Sequence, residues 1–231
     1  MKHLYRFPDR LRYENYFRFD KKWIEDLSWA GLPKASQAVL PVIAAHCNWR
    51  GHARPGEVTI AALSGLSVKG VQYGLKGLGT FRGLVTRRYG QLQNRGPRSY
   101  RVRMPPSREK DRYFPIYKVV FEGGNWQALS RSGRALYPVL RWVADAQGTS
   151  AARTGKAWDE CMPVPSHLAK YAGISRPSAY AGLEDLARKG LAEPPEDDRG
   201  TGRWKIYLLP VRRYDPEVLS GMVALKFGKR H

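Results

Sequence analysis

Between Val68 and Leu78 the apolar residues Val68, Val71, Leu75 and Leu78 recur at intervals of three and four, the spacing of one buried helix face. That spacing leaves Lys69, Gln72, Tyr73 and Lys76 facing outward. Upstream, Thr59 to Leu63 predicts a short helix and Ser64-Gly65-Leu66-Ser67 a tight turn. Ser67 there caps the longer helix, at an end where free backbone amides can also receive a phosphate. Downstream the period changes. The stretch GLVTRRYGQLQNRGPRSYRVRM runs apolar, basic, then Gly/Asn/Gly/Pro, and closes with Tyr100, Val102 and Met104 alternating with Arg101 and Arg103. This predicts a half-buried hairpin with a basic tip.

The pattern then recurs. Laying Ala35–Asn48 over Ser132–Asp145 matches Ala38 with Ala135, Pro41 with Pro138, Val42 with Val139 and Ile43 with Leu140. Laying Ile60–Leu78 over Leu168–Leu186 matches Ala61 with Ala169, Gly65 with Gly173, Ser67 with Ser175, Gly74 with Gly182, Leu75 with Leu183 and Leu78 with Leu186. An aromatic strand-like piece followed by a Trp and a Leu precedes each copy: FRFDKKWIEDL before the first, YKVVFEGGNWQAL before the second. A second hairpin is expected in GLAEPPEDDRGTGRWKIYLLP, with the acidic run Glu193 to Asp198 at its tip. The chain therefore divides into two copies of one module, residues 1–106 and 107–231, joined through the Pro-containing, charged stretch Met104–Arg112. An insertion in the second copy, AQGTSAARTGKAWDECM, reads as a small, polar, mobile loop. Each copy has the order helix, helix, tight turn, helix, hairpin. This is a helix-rich α+β class with two tandem winged-helix domains, each a helix-turn-helix with a β-hairpin wing.

Charge sharpens this picture. Of 231 residues, 40 are Lys or Arg and 20 Asp or Glu, giving a formal charge of +20; 42% are hydrophobic and 7 are Trp. That composition suits a folded polyanion binder rather than a disordered basic tail. Residues 1–110 carry 21 Lys+Arg against 7 Asp+Glu, so the first copy holds most of the positive field. The second carries Glu184, Asp185 and Glu193 around its expected reading helix. Since a helix-turn-helix reads bases with the N-terminal part of its second helix, Glu184 and Asp185 are expected to point out of a groove or toward another subunit.

The order of an aromatic strand, a Trp/Leu helix, an Ala-rich helix, then LAxxxGIS and an amphipathic helix ending in LxxxGL resembles winged-helix DNA-binding domains. The tandem arrangement resembles plasmid and phage replication initiators, over about residues 16–104 and 116–210. The resemblance implies a sequence-specific double-stranded DNA binder that marks an origin by its repeats and recruits host replication proteins. A transcriptional repressor of a mobile element and an RNA or single-strand binder are the alternatives. Expected DNA-contacting residues are Ser67, Lys69, Gln72, Tyr73, Lys76, Arg87, Arg88, Arg95, Arg98 and Arg101 in the first copy, and Ser175, Arg176, Ser178, Tyr180, Arg199 and Arg203 in the second. Two modules in one chain lead to an asymmetric site with half-sites about 10 bp apart. A homodimer is a further expected partner state.

Other chemistry finds little support. His46, Cys47 and His52, or Cys161 and His167, lack the paired short spacings of structural zinc. There is no Walker loop, no G-x-S-x-G and no HUH-type (His-x-His) pair of histidines with a downstream Tyr, so neither an enzyme nor a cofactor is expected. Interleaved aromatics and arginines in PDRLRYENYFRFDK suit either a strand completing the first module's core or a stacking surface for single-stranded bases. No apolar run reaches the roughly 20 residues of a membrane span, and MKHLYRFPDRLRYENYF lacks a signal-peptide core, so a cytoplasmic protein is expected. Cys47, following VLPVIAAH, reads as a core residue.

Overall fold

In the strand β1 (Tyr16–Asp20) Phe17 and Phe19 point inward, and in β5 (Tyr113–Tyr117) Phe114 and Ile116 do the same with an identical burial alternation. The computed structural model describes residues 16–80, 84–88, 99–106, 108–122, 124–149, 158–162, 164–195 and 203–207. After β1 come α1 (Lys22–Glu25), α2 (Ser28–Gly31), α3 (Lys34–Ala45), β2 (His52–Ala53), α4 (Glu57–Ser64), α5 (Val68–Thr80), β3 (Val85–Arg88) and β4 (Ser99–Val102). After β5 the order repeats: α6 (Val119–Glu122), α7 (Asn125–Ala128), α8 (Arg131–Ala146), β6 (Trp158–Cys161), α9 (Pro165–Ala172), α10 (Arg176–Arg188), β7 (Ala192–Glu193) and β8 (Trp204–Tyr207). The protein is α+β with small antiparallel sheets.

Each repeat closes on a three-stranded sheet, in the orders β2-β4-β3 and β6-β8-β7. The sequence pattern foresees only the hairpin. Its third strand is two residues long in the first repeat, and in the second it falls within WDECM, expected to be loop; Asp159 and Cys161 are in fact buried there. These strands exist through pairing with β4 and β8, Ala53 opposite Tyr100 and Cys161 opposite Trp204.

The helix pair of each repeat is locally encoded. Helices α4 and α9 both end on a glycine at φ +65°, Gly65 and Gly173. The next amide in each case reaches back to close the turn, Leu66 N to Ala61 O at 3.2 Å and Ile174 N to Ala169 O at 3.0 Å. Ser67 Oγ then accepts from Gly70 N at 3.1 Å, and Ser175 Oγ from Ser178 N at 3.3 Å, capping α5 and α10. Glycine also lets the helices meet closely. A Cβ on Gly74 would come within 2.8 Å of the Ala35 carbonyl oxygen, and one on Gly182 within 3.0 Å of that of Ser132.

The two repeats pack as a pseudo-two-fold pair around one contiguous apolar core. β1 and β5 pair antiparallel about Arg18 opposite Pro115, with Phe17 opposite Ile116 and Phe19 opposite Phe114. Because equivalent strands pair with each other about their midpoints, the relation is a local two-fold. The indoles confirm it: Trp29 Nε1 donates to Ala135 O at 2.9 Å, and Trp126 Nε1 donates to Ala38 O at 3.0 Å. Ala38 and Ala135 are equivalent residues, so each repeat sends its tryptophan to the same point on the other. Both indoles are wholly buried with their donors satisfied, and truncating either to Ala would cost about 3–5 kcal/mol. Trp29 and Leu32, rather than Trp23 and Leu27, are thus the counterparts of Trp126 and Leu129. The strand within PDRLRYENYFRFDK serves the joint between the repeats as much as the first repeat's own core.

The turn glycines obey the same symmetry. A Cβ on Gly65 would meet the Gln127 carbonyl oxygen at 2.7 Å, and one on Gly173 would strike that of Ala30, the residue equivalent to Gln127. The turn between α4 and α5 and that between α9 and α10 therefore rest on the short helices α7 and α2 of the opposite repeat. Lys34 Nζ adds bonds to Gly173 O at 2.7 Å and Ala172 O at 3.3 Å, at the carboxyl end of α9. Burial lowers the Lys34 pKa from its ordinary value. Lys21 also pairs with Asp145 across the joint. The connecting stretch is tied down as well, since Arg112 bonds Glu109 at 3.0 Å and Asp20 at 3.4 Å.

Candidate nucleic-acid interface

Helix α5 turns Val71, Gly74, Leu75 and Leu78 into the core and leaves Ser67, Lys69, Gln72, Tyr73 and Lys76 exposed. Val68 departs from the sequence expectation. It is 40% exposed, and burial along α5 starts at Val71. Gln72 is held in place: its Nε2 donates to Glu57 Oε2, on α4, at 2.9 Å. Glu57 is also the sole carboxylate between Asp26 and Glu109. The one acidic side chain of this long basic segment is thus engaged with the helix that carries the candidate reading residues.

Three cross-strand neighbours extend the surface. Arg101 of β4 lies opposite His52 of β2 and Thr86 of β3, and all three are exposed. Arg103 follows two residues on and is exposed too. Arg87 and Arg88 fall on β3, whereas Arg95, Arg98 and Arg199 lie outside the described residues.

The second repeat offers different chemistry at the same places. Along α10, Arg176 stands where the first repeat has Val68, Pro177 for Lys69, Ser178 for Gly70, Tyr180 for Gln72, Ala181 for Tyr73 and Glu184 for Lys76. Arg176 and Tyr180 are exposed, but Ser178 is half-buried with its hydroxyl 2.8 Å from Ser175 Oγ. Ser175 itself is exposed. The sheet face is neutralised. Lys205, equivalent to Arg101, lies 3.5 Å from Glu193, which also accepts from the Tyr207 hydroxyl. Arg203 is exposed and 3.9 Å from Glu160, equivalent to His52.

Glu184 is exposed as expected, but Asp185 is not. It is buried and accepts the Ser130 N–H at 2.6 Å where α8 begins. A carboxylate at that end of a helix answers both the unpaired amide and the dipole. Room for it comes from Gly133, whose absent Cβ would fall 2.6 Å from Asp185 Oδ2. The first repeat exchanges these sizes, with Ser36 on α3 facing Gly77 on α5.

Cys47 is half-buried against the core rather than within it, and burial pushes its thiol up to about 12; burial also raises the pKa of Cys161. Among the described residues no group of three or more His, Cys, Asp or Glu is placed to hold a metal, and no helix is long and apolar enough to cross a membrane. The sequence reading passed over Trp49 and Arg50. Trp49 is 74% exposed, and its only sequence signal is a large aromatic set in the polar turn Asn48–His52. Comparison with protein-family models, curated proteins and solved structures finds no match for this chain.

Proposed function

We propose that the chain is a sequence-specific double-stranded DNA binder made of two fused winged-helix modules, in which the first carries most of the reading. The observation that supports it best is the contrast within the duplication. At equivalent places the first repeat exposes Lys69, Gln72, Lys76 and Arg101, while the second has Pro177, Tyr180 and Glu184, and pairs Lys205 with Glu193. In a duplex complex α5 enters the major groove. Lys69 and Lys76 approach phosphates or guanine edges, and Gln72, oriented by Glu57, meets an adenine edge. The β3–β4 wing with Arg101 follows the backbone.

The local two-fold changes the geometry expected of the site. If α5 and α10 engage one duplex together, their half-sites are inverted rather than direct, and they differ in sequence because the helices do. By the resemblance of the tandem arrangement, the biological setting is the marking of a replication origin on a plasmid or phage. Selection from random duplexes followed by footprinting tests the proposal. A selected site with salt-sensitive protection is expected, and Gln72→Ala should relax preference at one position, by about 1–3 kcal/mol of discrimination. Failure to enrich any duplex sequence would overturn it. Clustered copies of the selected site at an origin favour the initiator, and a single copy over a promoter the repressor.

A further inference from the structure

We propose that the turn Asn48–His52 and the adjoining sheet face form a second nucleic-acid site, one that takes an unpaired base and its flanking phosphates from single-stranded DNA. Trp49 is the most exposed large apolar side chain among the described residues. It sits on a built turn rather than a loose one. Asn48 Oδ1 accepts from Arg50 N at 3.0 Å and His52 N at 3.1 Å, Asn48 N donates to His52 O at 2.9 Å, and Gly51 N donates to Asn48 O at 2.9 Å. From β1, Arg18 Nη2 donates to the Trp49 carbonyl at 2.8 Å. The turn is pinned to β4 by Val102 N on Gly51 O at 2.8 Å, and Gly51 has φ +79° where a Cβ would strike the Val102 carbonyl. With the backbone of the turn held this way, only the two side-chain torsions of Trp49 remain to be fixed when a base stacks on it.

The charge around Trp49 indicates what would cover it. The Arg50 guanidinium lies 4.5 Å from the Trp49 ring centroid, and His52, Arg101 and Arg103 continue the exposed face along β2 and β4. No acidic residue occurs from Leu27 to Gly56 or from Val58 to Arg108. An apolar protein partner would have to desolvate these cations, whereas a single strand brings phosphates for them and a π-face for the indole. The second repeat is an internal comparison. Glu160, Lys205 and Glu193 stand on its equivalent face and neutralise one another, with Arg203 beside Glu160. A base in a duplex is stacked on its neighbours and hides its face, so the site selects strands that are open.

The test compares two ligands on the full chain: a labelled oligo(dT) of about 12 nucleotides and the duplex selected above, both read by anisotropy across a salt series. Trp49→Ala should weaken oligo(dT) binding by about 5-fold to 100-fold, with Trp49→Phe recovering most of the loss. Arg50→Ala should lower the salt slope on oligo(dT) by about 0.7, the single-strand value for one neutralised phosphate. Duplex affinity should stay within about two-fold for both variants, and an unchanged melting temperature would show that the fold is intact. The site is refuted if wild type does not bind oligo(dT), if Trp49→Ala leaves that binding unchanged, or if it lowers duplex and oligo(dT) affinity equally. Loss of duplex selection with oligo(dT) binding intact would instead overturn the function proposed above and leave this site standing.

Discussion

Replacing single glycines by alanine isolates how strongly the two repeats hold each other. Gly148, Gly65 and Gly173 all lie at positive φ, between +65° and +70°. An alanine at any of them incurs the backbone cost of that region, about 1 kcal/mol at the low end. At Gly148 nothing lies within 4 Å of the added Cβ, so that cost is the whole effect. At Gly65 and Gly173 the Cβ meets main chain of the opposite repeat, at Gln127 and Ala30, which cannot swing aside as a side chain would. Forcing the short helices α7 or α2 away adds about 1–3 kcal/mol, as for other overpacked cores. Gly148→Ala is therefore expected to lower stability by about 1 kcal/mol, and Gly65→Ala and Gly173→Ala by about 2–4 kcal/mol, a large share of a typical domain's margin. Equilibrium urea denaturation with constant m-values reads the difference, and melting should fall by about 2–4 °C per kcal/mol. A Gly173→Ala loss no greater than that of Gly148→Ala would refute a locked joint. So would two separate unfolding transitions in the wild type, because one shared core implies a single one.

On the selected duplex, Lys69→Ala with Lys76→Ala should reduce the slope of log affinity against log salt by about one for each phosphate left without its lysine; an unchanged slope would remove α5 from the backbone. Asp185→Ala should destabilise by about 1–3 kcal/mol, measured by urea denaturation, since the part-buried Ser130 N–H at the start of α8 loses its acceptor. The thiol of Cys47 has an ordinary pKa of 9.0 and is pushed up to about 12 by burial, so the folded state favours the neutral form. Its contribution to stability is complete below about pH 9 and is lost as pH climbs toward about 12. Wild type should thus lose stability across that window more steeply than Cys47→Ala, and alkylation of Cys47 should be slow at neutral pH in native protein; equal alkaline profiles would contradict the burial.

How far the fold can be read from the sequence depends on the range of the interactions that make each part. The elbow Gly65–Ser67 and its copy Gly173–Ser175 are legible because their determinants, a positive-φ glycine and a capping serine, lie within a few residues. The outward face of α5 is legible from its period for the same reason. Val68 breaks the period, because whether a first-turn residue is buried depends on distant parts of the chain rather than on the helix's own spacing. β2 and β6 are invisible locally, since they exist only by pairing with strands about 50 residues away. The inward turn of Asp185 depends on Ser130 and Gly133, likewise distant in sequence. The two-fold joint needs β1 to meet β5 across almost 100 residues, and an alternating aromatic strand announces that it has a buried face but not whose core will bury it.

Within the core the repeats have diverged in compensating pairs. Ser36 with Gly77 in the first becomes Gly133 with Asp185 in the second, and Ala44 with Gly51 becomes the buried ion pair Arg141–Asp159, at 2.9 Å. One side of each exchange makes sense only with the other, because a lone Asp185 would collide with a serine at 133 and a lone buried Arg141 would leave a charge unpaired. Packing therefore explains these differences without reference to any ligand. It does not explain those on α5 and α10. Lys69 and Pro177, Tyr73 and Ala181, and Lys76 and Glu184 are exposed, so either residue of each pair would satisfy the scaffold. On the function proposed above, the nucleic acid is what distinguishes them. Between Asp26 and Glu109, Glu57 is the one carboxylate, and so basic a segment is costly in self-repulsion, a cost that a bound polyanion would offset. The second repeat lacks that excess of charge at α10 and across its sheet, so on this proposal the exposed residues of the first repeat should govern affinity.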